Sequence, residues 1–329
     1  MIRKLYYIFL CLSFSSSPIF ANESEKKAKV FISQVVEHPA LDQTTQGIKD
    51  TLAAHGYKSG FNLDLRVESA QANPTLAGQI ASKFVNQNPS VVVGIGTLSA
   101  QSFIKYALQT KVSVVFGSVT DPIGAHLVDN LKKPTQTISG VSNFVPLEPQ
   151  LALFKKILPG LKKLGILYNP GELNSVSIVQ KLEVLCPQFG LKLIKQTISK
   201  TGDVPQASAK LAKTSDAIFI SNDNTALSAL QSVIQAATRV KIPVFVSDTD
   251  AVKLGALAAL GPNQYEVGKQ AGEMIVRILK GERVQEQAVE FPKKTDLFIN
   301  LIAAKNLNIT IPKDVLKNAS FVIQLSDKP

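Results

Sequence analysis

The chain of 329 residues carries 36 lysines and arginines against 25 aspartates and glutamates, a formal charge of +11, and 45% of it is apolar. That apolar share suits packed cores rather than a disordered chain, and the length allows two domains of ordinary size. The positive charge falls in scattered pairs (Lys26-Lys27, Lys132-Lys133, Lys155-Lys156, Lys162-Lys163) instead of a stripe interleaved with aromatics, which argues for a solvated surface and against nucleic-acid binding.

In chain order, Arg3 and Lys4 precede an apolar run, Leu5 to Leu12, and a small-residue tail, Ser13 to Ala21, broken by Pro18. This pattern predicts a secretory signal over residues 1–21 and an exported, periplasmic protein. The run is too short for a membrane span. Phe9 and Leu10 stand before Cys11 where lipoprotein processing wants small residues, which argues against a lipid anchor there. Without the signal only Cys186 remains, so no intramolecular disulfide is expected, and its neighbours Leu185 and Pro187 suit packing.

Beyond the leader, short β-branched runs alternate with segments of helical period. Strands are predicted at Val30–Val36, Leu63–Glu68, Val91–Ile95, Val112–Phe116, Gly165–Tyr168, Leu191–Gln196, Ala217–Ile220 and Val244–Val246. Helices are predicted at Leu41–His55, at Pro74–Asn88 with Leu76, Ile80 and Phe84 at four-residue spacing, and at Gln264–Leu279. The alternation predicts an α/β chain with parallel sheets flanked by helices, because a crossover helix is how a chain returns to begin a parallel strand.

The sequence also repeats itself. Ser90–Ser102 aligns without gaps on Asp216–Ser228, each an apolar strand, a polar turn and a helix start, and Lys111–Asp121 resembles Lys241–Asp250. Two similar units predict two Rossmann-like lobes. In open parallel sheets ligands sit beyond the carboxyl ends of the strands, where turns feed helix N-termini. The repeated turns fall there: Thr97, Ser99 and Ala100 in the first unit would offer hydroxyls and free N–H groups, and Asn222, Asp223 and Asn224 are their counterparts in the second. The acids Asp121, Asp223 and Asp248 gather at the same strand ends, and a ligand ammonium would give one or two of them a partner, Asp248 first.

Other chemistry finds little support. His38, His55 and His126 share no ligand spacing, so no metal is expected. Gly94-Ile95-Gly96 has Ser99 where a dinucleotide loop needs its third glycine, so no cofactor is expected. No nucleophile elbow, zinc-protease helix or phosphate-cradling lysine loop is present, which argues against an enzyme.

A family resemblance runs through nearly the whole of the mature chain. Glu37-His38-Pro39-Ala40-Leu41-Asp42, Val119-Thr120-Asp121-Pro122, Ser139-Gly140-Val141-Ser142, Tyr168-Asn169-Pro170-Gly171-Glu172 with Asn174-Ser175, Asp223-Asn224-Thr225, Ser247-Asp248-Thr249-Asp250 and Gly255 to Gly261 together resemble the tryptophan/tyrosine-type ABC transporter substrate-binding protein family. The resemblance implies a periplasmic-binding-protein type I fold of the ribose-binding kind, with a hinged cleft and an amino acid ligand, an aromatic one in characterised relatives. A sugar, a short peptide or a branched aliphatic amino acid stays open on the residues alone. It adds Glu37, His38, Thr120, Asn143, Asn174 and Ser175 to the candidate ligand-binding residues, and it implies an ABC permease as partner, with a sensory receptor or an exported enzyme as alternatives. A monomer is expected. By fold analogy, lobe one takes residues 28–120 and 261–284 and lobe two residues 121–260 and 285–329. The crossings then lie near Thr120–Val141, Leu254–Gly261 and Gly281–Gln287, with Gly255 and Gly261 as hinge candidates. Phe144, Tyr168 and Tyr265 are candidates for stacking on an aromatic ligand.

Overall fold

The computed structural model describes residues 27–324. The expected signal segment, residues 1–21, lies outside them, and no described helix is long and apolar enough to cross a membrane. The strands are β1 (Ala28–Gln34), β2 (Leu63–Ser69), β3 (Val91–Ile95), β4 (Val114–Val119), β5 (Ile138–Ser142), β6 (Lys163–Tyr168), β7 (Lys192–Thr197), β8 (Ala217–Ile220), β9 (Val244–Val246), β10 (Ala258–Pro262), β11 (Thr295–Asn300) and β12 (Phe321–Ile323). The helices are α1 (Pro39–Ala54), α2 (Pro74–Val85), α3 (Thr97–Gln101), α4 (Ile104–Thr110), α5 (Leu147–Ile157), α6 (Leu173–Gln188), α7 (Val204–Ala212), α8 (Asn224–Ser228), α9 (Leu230–Arg239), α10 (Gln264–Leu279), α11 (Leu301–Asn306) and α12 (Lys313–Lys317).

These elements build two sheets. The first is five-stranded and parallel in the order β2-β1-β3-β4-β5, and the second is seven-stranded in the order β12-β11-β10-β9-β8-β6-β7. Within the second, β7-β6-β8-β9-β10 repeats the order of the first, and β11, antiparallel to β10, extends it. The repeated segments occupy equivalent places: β3 and β8 each feed a one-turn helix and then α4 or α9, and Lys111 and Lys241, in left-handed conformations (φ 59° and 57°), precede β4 and β9. The central strands are buried along their whole length, as expected where helices cover both faces of a parallel sheet.

Local chemistry sets the helix starts. Asn73 Oδ1 accepts from the N–H groups of Thr75 and Leu76 at the head of α2, whose first residue is Pro74. Asn263 caps α10 in the same manner. α10 returns to the first lobe and packs on α1 at backbone distance: a Cβ on Gly47 would lie 2.2 Å from the Tyr265 carbonyl oxygen, and one on Gly268 would lie 2.1 Å from that of Thr44.

Three crossings join the lobes, each later than the sequence reading placed it. Residues 121–137 stay with the first lobe, because Ala125, Leu127 and Val128 pack into its core and β5 pairs with β4, so the chain first leaves at Asn143–Pro146. It returns at Asn263, since β10 is an integral strand of the second sheet. It leaves again only after Glu290: Val284 and Val289 are buried in first-lobe cores, and the Glu290 N–H donates to the Gly140 carbonyl. Gly261 is not placed as a pivot, for its Cβ would meet the Ser247 carbonyl oxygen at 1.7 Å, a close strand approach.

Candidate functional site

The carboxyl ends of the two sheets face each other, and the lobes meet there around a cavity of about 20 Å³, room for roughly one water molecule. On the first-lobe side, His38 ends the β1 exit loop at the head of α1, followed by Ala40 and Leu41. Ser118 sits at a register shift in β4 with φ 54°, a left-handed conformation uncommon for a residue with a side chain. Its hydroxyl lies 2.8 Å from Thr44 Oγ1 and donates to Gln264 Oε1 at 2.9 Å. The Gln264 amide is thereby turned with its oxygen toward these hydroxyls; its Nε2 makes no hydrogen bond among the described residues, and Gln264 lines the cavity. Thr120, at the end of β4, donates to Asn143 Oδ1 at 3.2 Å.

On the second-lobe side, Asn222 follows β8 and reaches across, its Nδ2 donating to Thr120 Oγ1 at 3.1 Å and approaching Asn143 Oδ1 at 3.4 Å. Asn224 also bridges the lobes, accepting at Oδ1 from His38 Nε2 at 3.2 Å. Behind both stands Glu172, in the turn after β6. One of its oxygens accepts from Asn224 N (2.9 Å), Asn224 Nδ2 (2.7 Å) and Asn174 Nδ2 (3.1 Å); the other accepts from Thr225 N (2.9 Å) and Thr225 Oγ1 (2.7 Å). Asn174 Nδ2 also donates to the Asn222 carbonyl at 2.7 Å. Leu227 of α8 lies across the cavity from Leu41 of α1, so each lobe supplies one apolar wall.

Asp248, past the end of β9, is the acid in this cavity. It is 4% exposed and accepts one hydrogen bond, from the Asp250 N–H at 3.1 Å. Burial, reinforced by the neighbouring Asp250 charge, pushes its carboxyl from 3.8 up to about 7. The nearest cation, Lys253, is engaged by Asp250 at 2.8 Å. Burial moves His38 the other way, below 6.5, so that its imidazole is neutral at neutral pH.

The structure brings His38, Thr120, Asn143, Asn174, Asn222, Asn224 and Asp248 to one cavity and leaves the other candidates elsewhere. Glu37 is exposed and borders a separate pocket with Asp42 and Lys49. Thr97, Ser99 and Ala100 are buried in the first lobe and do not line the cavity; Val35 packs on Gly96 and Ala100 on Gly94 beside them. Asp121 stands on the outer rim, accepting from Ser177 Oγ of the other lobe at 2.8 Å. Asp223 is a helix cap, accepting from Ala226 N (2.7 Å) and Asn169 N (2.6 Å), and burial together with the Glu172 charge raises its pKa. Ser175 is buried within its lobe. The aromatic candidates also lie outside: Phe144 borders an outer groove, Tyr168 packs on the second-lobe core, and Tyr265 donates to Asp50 at 2.9 Å. Ala40, Leu41, Ser118, Leu227 and Gln264 are cavity residues that strand-end reasoning missed; Leu41 and Leu227 were accessible to it, since both fall in the first turn of a helix entered from a strand end.

The sequence model of the family described as ABC transporter substrate binding protein matches residues 29–323. The chain belongs to that family. A tyrosine-binding protein of Clostridioides difficile (strain R20291) is 33% identical over 287 residues, covering 87% of this chain and 83% of the relative. Among solved structures, an ABC domain from Streptococcus pneumoniae in complex with L-Trp superposes with a TM-score of 0.86 at 32% identity, covering 90% of this chain and 100% of that one. The ligand-free, open structure of a substrate-binding protein with adhesive properties from Clostridium difficile gives 0.68 at 34% identity, covering 91% and 100%. The architecture is the type I periplasmic-binding-protein fold, shared with solute-binding proteins only 14–15% identical.

Proposed function

We propose that this substrate-binding protein captures an amino acid, an aromatic one in preference, outside the cytoplasmic membrane and presents it to an ABC importer, without catalysing a reaction. The observation that carries the reading is Asp248, a carboxylate buried in the wall of the inter-lobe cavity with no cation paired to it among the described residues. Burying such a charge is costly until a partner arrives, and a ligand ammonium is a partner of the right sign and size. Gln264 Nε2 supplies a free donor for a ligand carboxylate, while Leu41 and Leu227 would flank its side chain. The tyrosine-binding relative and the L-Trp complex support an aromatic ligand. His38, Thr120, Asn143, Asn174, Asn222 and Asn224 complete the proposed site. The cavity as closed is far smaller than any amino acid, so loading requires the lobes to part and their polar bridges to break and re-form. The signal-like residues 1–21 support export, and a permease at the membrane is the proposed partner of the monomer.

Thermal unfolding of residues 22–329 against tyrosine, tryptophan, phenylalanine, leucine, arabinose and dipeptides tests this directly, since a ligand at 100 times its Kd stabilises the folded form by about 2.7 kcal/mol. A rise confined to aromatic amino acids supports the reading. A rise with the sugar or a dipeptide alone overturns it.

A further inference from the structure

We infer that Glu172 is the positioning residue of the cleft, fixing through Asn224 the tautomer of His38 and, through Asn174, the reach of Asn222, so that one carboxylate governs the polar bridges that close the two lobes over the cavity. The inference rests on the proposed amino acid site but names a residue that does not line it. The bonds already given leave Asn224 no choice of orientation: both its N–H and its Nδ2 go to Glu172 Oε2, so its Oδ1 faces the first lobe. An oxygen in that place can only accept, which requires His38 Nε2 to carry the proton and leaves Nδ1 as an acceptor. The burial that holds His38 neutral makes this choice of tautomer consequential. On the same carboxylate, Asn174 is held so that its Nδ2 also pins the Asn222 carbonyl, and the Asn222 side chain then meets Thr120 and Asn143.

Helix capping alone does not account for Glu172. α8 already has a cap, Asp223, which accepts from Ala226 N. The contacts of Glu172 with Asn224 Nδ2, Thr225 Oγ1 and Asn174 Nδ2 go beyond that, and they bring a second carboxylate beside buried Asp223 at an electrostatic cost. A carboxylate that accepts charge-assisted hydrogen bonds from Asn224, which bridges the lobes, and from Asn174, which holds the other bridge Asn222, orders both in advance of the ligand and so lowers the entropic cost of closure.

The test has a ligand-free arm and a ligand-bound arm. Long-range proton–nitrogen NMR of the His38 ring at pH 8, with no amino acid added, is expected to show the Nε2–H tautomer in the wild type and a mixture in Glu172→Gln, whose amide puts a donor where only acceptors fit. In the second arm, release of L-tryptophan is expected to be 10- to 100-fold faster in E172Q, and this penalty is expected to shrink at least fivefold in a His38→Ala background, which a structural role would not produce. Glu172→Asp, which withdraws the charge by one carbon, replaces E172Q if that variant does not fold and is expected to give the same mixture. A wild-type spectrum already mixed, a spectrum unchanged by the substitution, or additive penalties overturn the inference. Failure of the wild type to bind tryptophan or tyrosine counts instead against the proposed ligand, and the tautomer measurement then decides this inference alone.

Discussion

Replacing Asp248 by asparagine should move stability and affinity in opposite directions. The side chain is 4% exposed, and its carboxyl stands at about 7 instead of 3.8. A gap of about three pH units corresponds to ~4 kcal/mol, the upper bound on what the empty protein loses by ionising this group above pH 7. The sign follows from linkage: a folded-state pKa raised above the unfolded value contributes stability that is complete below about 4 and is lost as the pH rises through about 7. The asparagine would keep the acceptor for the Asp250 N–H and carry no charge. The empty variant at pH 8 is therefore expected to unfold several degrees above the wild type, with the difference vanishing near pH 4. Its affinity for an aromatic amino acid is expected to fall roughly 10- to 150-fold, the equivalent of a charged hydrogen bond worth about 1.5–3 kcal/mol. Calorimetry of binding and of unfolding on the same samples checks both. A variant that is less stable at pH 8 and binds as tightly as the wild type refutes the reasoning, since Asp248 would then be a structural acid.

For the wild type, amino acid affinity is expected to rise about tenfold per pH unit from 5 to 7 and level off above, because an ammonium selects the ionised Asp248 and binding releases its proton; titrations in buffers of different ionisation enthalpy count that proton. Gly261→Ala is expected to cost about 3 kcal/mol or more, since its Cβ would stand 1.7 Å from the Ser247 carbonyl oxygen, and to lower the unfolding midpoint by roughly 6–12 °C with or without ligand. A pivot residue would instead change affinity and leave stability alone. Cys186, buried and pushed up to about 11, is expected to resist thiol labelling in residues 22–329 at pH 8 until the second lobe unfolds, so mass spectrometry after labelling across a denaturant series reports that lobe's opening. Rapid labelling of the native protein would contradict the packing.

Much of the fold was legible because parallel strands buried on both faces leave a strong trace. Val91–Ile95, Ala217–Ile220 and Val244–Val246 are strands at the expected residues, and the repeat between Ser90–Ser102 and Asp216–Ser228 reappears as a shared strand order in the two sheets. Four strands escaped, β5, β10, β11 and β12, and the first two hide behind glycine. In β5 a Cβ on Gly140 would lie 2.2 Å from the Phe116 carbonyl oxygen, and in β10 Gly261 meets Ser247 as closely. Glycine demanded by strands that press on their neighbours looks in sequence like glycine demanded by a turn. The crossing points, placed by fold analogy, fell too early, because Leu127 and Val289 are buried in the first lobe's core and hold the chain there.

The site was legible where chemistry is rare and illegible where it depends on cover. An aspartate two residues past a buried strand is conspicuous, and Asp248 lies in the cavity wall. Thr97 and Ser99 have the same strand-end address, yet they are buried in the first lobe and do not line the cavity. Glu172 fails for a third reason: Asn-Pro-Gly-Glu reads as a turn, and the donors that give the glutamate its meaning include residues 52 and 53 positions away. A strand-end position brings a residue to the cleft only where nothing covers it, and the orientation of the cleft side chains follows from a hydrogen-bond network closed only by the fold. A search along a chain for cleft residues thus finds those at strand ends more readily than Glu172, whose five hydrogen bonds are assembled only when the turn after β6 meets the start of α8.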